Sequence, residues 1–237
     1  MQPLFSARQR FIHQGANLMA AKRIFLIHAT PLSMAPIADA FRRLWPEPQL
    51  LNLLDDSLSK DMAASGALTA ELKERFLALT HYAEGAGADA ILFTCSAFGE
   101  AIDACKKAVT IPVLKPNEAM IDEAVASAAH ITLLATFEPS IGSMLEEFRQ
   151  AASHAGKAVR VKPIHVPGAI EALGQGDQAQ HDHAIAEAAR TVQHSEVICF
   201  SQFSMTTAAA GAQTARGLPV LTTPDSAVKR LRALLEG

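Results

Sequence analysis

Sliding the sequence against itself by 107 positions, Asp89 onto Glu196, lays one half of the chain on the other without a gap. DAILFTCSAFG, from Asp89, falls on EVICFSQFSMT, and Pro112-Val113-Leu114 falls on Pro219-Val220-Leu221. The same offset puts Ile24 of IFLIH on Ile131 of ITLLA and brings the 50–54 run beside Ala158–Val161. Identity between the halves is low. Even so, three apolar runs and a Pro-Val-Leu signature at one fixed offset read as a duplication, two similar lobes facing across a cleft. One continuous doubly wound sheet would give the same alternation of elements without requiring the offset.

Each half alternates short apolar runs with helical stretches. IFLIH (24–28), LLNLL (50–54), AILF (90–93) and IPVL (111–114) read as strands. Met34–Leu44, Thr69–Ala83 (Leu72, Phe76, Leu79 and Tyr82 at helical spacing) and Glu100 to Ala108 read as helices. Alternation of this kind predicts an α/β fold of parallel sheets with right-handed crossovers. Uniformly apolar strands predict sheets covered on both faces. The expected organisation is a first lobe of residues 22–116 with 225–237 and a second of 117–224. Residues 1–21 read as an N-terminal extension with no fold of its own: the stretch carries Arg8 and Arg10, no acid and no apolar core of signal-peptide length.

Composition narrows the function. The balance of 21 basic and 24 acidic residues in 237 provides no field for nucleic acid or anionic lipid. No apolar run approaches the roughly 20 residues of a membrane span. Three widely spaced cysteines form no disulfide framework, so a reducing cytoplasm is the expected location. No Walker pattern, zinc-type cysteine spacing or G-x-S-x-G elbow is present. His181-Asp182-His183 lies along a helix start, where consecutive side chains diverge, and reads as solvated rather than metal-binding. Gly174–Ala179 follows a helical segment rather than a strand, so it is a loop and not a phosphate cradle. The expectation is a small-molecule protein without metal or cofactor.

In parallel sheets, ligands sit beyond the carboxyl ends of the strands. The turn after AILF carries Thr94, Cys95, Ser96 and Ala97; its mate carries Ser201, Gln202, Phe203 and Ser204. Cys95 is thereby expected to face Gln202 across the cleft. A cysteine ahead of a helix N-terminus gains from the dipole, which would depress its pKa, and the Ser96 and Ala97 amides suit a carboxylate. Taken alone, a strand-end cysteine is more often a small buried hydrophobe; Cys105 and Cys199 fit that description. The loop after the first strand offers His28, Thr30 and Ser33, and its mate offers Thr136, Glu138 and Ser140. Each hydroxyl also has a capping role open to it, and a lone histidine at a strand end is more often a structural hydrogen bonder than a proton donor to substrate. Asp55 and Asp56 read as loop caps.

AILFTCSAFGEAIDACKKAVTIPVLKPNEAMIDEA, ITLLATFEPSIGSM and LPVLTTPDSA resemble the aspartate/glutamate racemase superfamily, which includes amino-acid and hydantoin racemases, maleate isomerase and arylmalonate decarboxylase. The resemblance covers roughly Lys22 to the C-terminus. It implies two pseudo-symmetric α/β lobes and a cofactor-free reaction in which one cysteine from each lobe works on opposite faces of a carbon next to a carboxylate. It also implies a small carboxylate substrate, carboxylate-binding roles for Thr30 and Thr136, and the homodimers common among relatives. Cys95 matches the first cysteine, but Gln202 occupies the second position. An amide neither accepts nor delivers a proton at neutral pH, so the two-thiol racemase mechanism is incomplete.

Three readings stay open at that point. Cys95 protonates an enediolate left by decarboxylation, Cys95 attacks an activated double bond, or another group such as His28 supplies the second proton. Outside that chemistry stand a cysteine hydrolase, for which His28 and Asp56 are the available partners, and a non-catalytic binder of small carboxylates. Ser96, Ala97, Phe203 and Ser204 complete the expected substrate-binding set.

Overall fold

The computed structural model describes residues 21–237, so the expected extension lies outside the described residues but for Ala21. The duplication appears as two four-stranded parallel sheets, one per lobe. In the first lobe the strands are β1 (Arg23–His28), β2 (Gln49–Leu54), β3 (Ala90–Phe93) and β4 (Val113–Leu114), in the order β2-β1-β3-β4. In the second they are β5 (His130–Ala135), β6 (Arg160–His165), β7 (Val197–Phe200) and β8 (Val220–Thr222), in the order β6-β5-β7-β8. Two sheets of identical order exclude the single continuous sheet.

The fixed offset holds for the first, third and fourth strands and fails for the second. Arg23 pairs with Gln49 in one lobe, whereas His130 pairs with Arg160 in the other. The mate of β2 therefore lies at 160–165, not at Ala158–Val161. The second-lobe crossover is longer, and a surface connection absorbs extra residues at little entropic cost. The expectation of apolar strands covered on both faces is met by β3 and β7, which are wholly buried. The edge strands β2 and β6 are largely accessible instead, and β6 carries Pro163, whose missing N–H is tolerated at an edge.

Helices cover both faces of each sheet. In the first lobe these are α1 (Met34–Leu44), α2 (Ser57–Ser65), α3 (Ala70–Gly85) and α4 (Gly99–Ala108). α3 is started by Thr69, whose hydroxyl accepts from the Leu72 N–H at 3.3 Å. The second lobe contains α6 (Ile141–His154), α7 (Ala169–Gly174), α8 (Gln178–Arg190) and α9 (Ala209–Arg216). Two further helices cross between lobes. α5 (Glu118–Ser127) follows β4 yet buries Met120, Ile121, Ala124 and Val125 against Ile131, Leu133 and Phe148 of the second lobe. α10 (Thr223–Glu236) follows β8 and buries Ala227, Val228 and Leu231 against Ile24, Leu26 and Phe41 of the first. The two meet where Ser226 Oγ donates to Glu123 at 2.6 Å. The apolar face of each crossing helix belongs to the other lobe's core, so the pair fixes the lobes together through burial.

Among the described residues no helix is long and apolar enough to cross a membrane. Nor do any three His, Cys, Asp or Glu side chains there form a cluster suited to a metal ion.

Candidate active site

The carboxyl ends of β1 and β3 face those of β5 and β7 across the lobe boundary, enclosing a cavity of about 440 Å³. The first lobe contributes Thr30, Ser33, Thr94, Cys95, Ser96 and Ala97 to its wall; the second contributes Phe137, Ser140, Ser143, Gln202, Phe203 and Ser204. The two matched turns share one backbone shape. Cys95 (φ −127°, ψ 122°) and Gln202 (φ −125°, ψ 147°) are both extended residues leading into a 3-10 turn. The turns are pinned beneath by equivalent buried side chains, Phe98 and Met205. Phe98 packs on Phe76 with ring centroids 4.6 Å apart, so the Cys95 turn rests on an aromatic platform.

Cys95 is the only one of the three cysteines with solvent access; Cys105 and Cys199 are buried. Its thiol is pushed above the ordinary value by burial, and the Ala97 backbone N–H, a donor to the sulfur, opposes that shift. The expected depression by a helix dipole does not occur. Ser96–Phe98 is a single 3-10 turn and α4 begins only at Gly99, while the sulfur packs on the first-lobe core. Alkylation of Cys95 by iodoacetamide is accordingly expected to accelerate along a pH curve displaced to the alkaline side of a free thiol. A curve on the acid side would contradict the burial seen here.

Gln202 is held rigidly. Its Oε1 accepts from the Thr136 backbone N–H at 3.0 Å and from the Thr136 hydroxyl at 3.2 Å. A backbone N–H only donates, which settles the orientation of the amide. Nε2 then donates to Ser140 Oγ at 2.8 Å, and Ser140 Oγ in turn donates to Phe137 O at 2.7 Å. Thr136 is buried behind Gln202 and does not line the cavity, so the expected contact between its side chain and substrate is replaced by a role in anchoring the amide.

His28 takes the structural role open to it rather than the proton-donating one. It is fully buried and outside the cavity wall, with Nδ1 at 2.8 Å from Thr94 Oγ1 and 3.2 Å from Ser33 Oγ, and Nε2 at 2.9 Å from Asn52 Oδ1. Burial lowers its pKa and the Asn52 hydrogen bond opposes this, so the ring is neutral at physiological pH. The imidazole lies behind Thr94, on Cys95's own lobe, and cannot supply a proton from the opposite side. The second lobe has no counterpart: Ala135 stands at the equivalent position, Pro163 takes the place of Asn52, and Ser201, the mate of Thr94, has a buried hydroxyl without a partner.

A hydrolase triad does not assemble. His28 touches no carboxylate, and Asp56 is exposed and paired with Lys60 at 2.9 Å. Asp55 accepts from Ser57 and from Arg75 at 2.5 Å, the capping role expected of it. Two features were not legible in the sequence. Asn117, buried, reaches the cavity from the start of α5. Glu147, one turn beyond Ser143 on α6, has its carboxyl raised to about 7 by burial, against the pull of Lys115. Neither belongs to a motif: Asn117 reaches the cavity because α5 packs on the second lobe, and Glu147, outside the cavity wall, meets Asn117 from α6.

Two duplicated parallel-sheet lobes with a thiol at their shared cleft define the class of protein. The chain belongs to the Asp/Glu/hydantoin racemase family, whose model matches residues 27–231. Solved structures agree in fold. A glutamate racemase isoform from Bacillus anthracis is 13% identical, covering 91% of this chain and 82% of its own, with a TM-score of 0.69. An allantoin racemase from Klebsiella pneumoniae is 19% identical over 91% of this chain and 88% of its own, also at 0.69. An aspartate racemase homologue from Pyrococcus horikoshii is 15% identical over 91% of this chain and all of its own length (100%), at 0.68. No curated protein sequence matches the chain.

Proposed function

We propose that the protein is a cofactor-independent enzyme that moves a proton at the carbon next to a carboxylate of a small acid, with Cys95 carrying that proton on one face only. The observation that supports this reading is the locked Gln202 amide opposite the thiol: its oxygen is occupied by Thr136 and one of its N–H groups by Ser140. An amide so held orients a substrate oxygen but takes up no proton. The reaction is then half of a racemisation. The Cys95 thiolate, a strong base because burial raises its pKa, removes the proton, and the resulting thiol returns one to the same face of the enediolate. A carbanion formed by loss of carbon dioxide would be protonated from the same side.

Carboxylate binding falls to neutral donors at the matched turns, the Ser96 amide and hydroxyl and the Ser204 hydroxyl, residues that line the cavity. Thr30 stands at the rim and caps the turn that follows, its Oγ1 accepting from Leu32 N–H.

The test is incubation of enantiopure 2-substituted carboxylic acids, amino acids included, in deuterated water. Mass spectrometry reads deuterium uptake and chiral chromatography reads configuration. The expected result is uptake with configuration retained, rising with pH, and lost by about 10² or more in Cys95→Ala. Racemisation at the rate of exchange, or exchange undiminished in Cys95→Ala, would overturn the proposal.

A further inference from the structure

We infer that the substrate of this site is a small carboxylate whose reacting carbon carries an aromatic or branched apolar group and no free ammonium. The inference rests on the carbon-acid reading above and deepens it. It starts from two large side chains left open to solvent at the cavity, Leu32 from the first lobe (54% exposed) and Phe137 from the second (49%). Large apolar side chains are rarely left open at a concave site unless something covers them. Ile170 and Phe203 extend the apolar surface inward, Phe203 being packed into the first-lobe core and therefore fixed in place.

The polar part of the wall is neutral. Among the described residues that line the cavity, Thr, Ser, Cys, Asn and Gln supply every polar side chain. Of the carboxylates behind the wall, Asp103 pairs with Lys115 at 2.7 Å and Glu118 with Lys106, while Glu147, bonded to Asn117, does not line the cavity and has its carboxyl raised to about 7 by burial. The Gln202 oxygen, the natural acceptor for a substrate N–H on the face opposite Cys95, is turned into the Thr136 backbone. A substrate ammonium would be desolvated here without a counter-ion, which is costly, whereas an apolar group would cover Leu32 and Phe137. Neutral N–H and O–H donors suffice for a carboxylate. The cavity volume of about 440 Å³ accommodates a ring together with a carboxylate.

Protection of Cys95 tests this directly. Iodoacetamide labelling is followed by mass spectrometry in the presence of phenylacetate, phenylglycine (the same skeleton with an ammonium) or acetate (the same carboxylate without the ring). Phenylacetate is expected to protect at concentrations about tenfold or more below those of the other two. Leu32→Ala combined with Phe137→Ala, both solvent-facing and so compatible with folding, is expected to remove most of that advantage.

Phenylglycine protecting as well as phenylacetate, acetate protecting equally, or no protection by any probe would overturn the inference. It would also fall if the double variant changed the sedimentation coefficient and left protection unaltered, since the exposed pair would then cover a second copy of the chain. Failure of the underlying reading looks different: phenylacetate would still be preferred, but no acid would exchange deuterium.

Discussion

Gln202→Cys is expected to turn exchange with retention into racemisation. The substitution places a thiol on the extended residue that mirrors Cys95, at the head of an equivalent turn, so the backbone already presents it correctly. A positioned acid–base group contributes about 10²–10⁴ in rate, and loss of enantiomeric purity in deuterated water should accelerate by at least the lower figure over the native protein. The gain has a structural cost. Cysteine cannot replace the amide oxygen, so the Thr136 N–H loses its partner, at about 1–3 kcal/mol unless water from the cavity takes its place. The variant should therefore unfold at lower urea concentration while acquiring the new activity. Chiral chromatography over a time course reads the gain. Unchanged retention in a folded Gln202→Cys protein would show that the face opposite Cys95 is not the one the substrate carbon presents.

His28→Ala is expected to be among the most destabilising substitutions in the chain. It removes two buried hydrogen bonds and a part-buried one, and leaves a void where the fully buried imidazole stood. Thr94 and Ser33 keep each other at 2.7 Å, but Asn52 loses its ring partner. Asn52 is exposed and water can take the ring's place, so the cavity and the two lost buried hydrogen bonds set the loss, roughly 2–5 kcal/mol, read from the urea midpoint. The acid branch of the stability curve should change with it. Burial holds the folded His28 below its ordinary 6.5, so between those values the unfolded chain binds the extra proton. His28's contribution is complete above about 6.5 and falls away as pH drops towards its folded pKa. The variant should lack that component; an identical acid slope in both proteins would mean that another group titrates there.

The contrast between these two residues shows how far residue patterns reach. Gln202 was placed opposite Cys95 by the 107-residue offset alone, because β3 and β7 are buried central strands whose ends are fixed by their pairing with β1 and β5. The same offset misplaced the second strand of the second lobe, because edge strands tolerate insertion in the crossover that precedes them. His28 was recognised as a strand-end imidazole, but its direction was not legible. Successive strand residues alternate faces, and the decision between cavity and interior rests with Thr94, Ser33 and Asn52, up to 66 residues away in sequence. The direction of Thr136 is hidden for a similar reason, since its partner Gln202 is also 66 residues distant.

The sequence by itself determined the α/β alternation, the duplication and family membership, because each follows from local periodicity or from a fixed spacing along the chain. Tertiary structure decided the rest. It set the direction of the Cys95 pKa, the anchoring of Gln202, the withdrawal of His28 and the apolar lining at Leu32 and Phe137. Burial and hydrogen-bond partnership depend on which distant segments pack together, and here two helices exchanged between lobes make that choice.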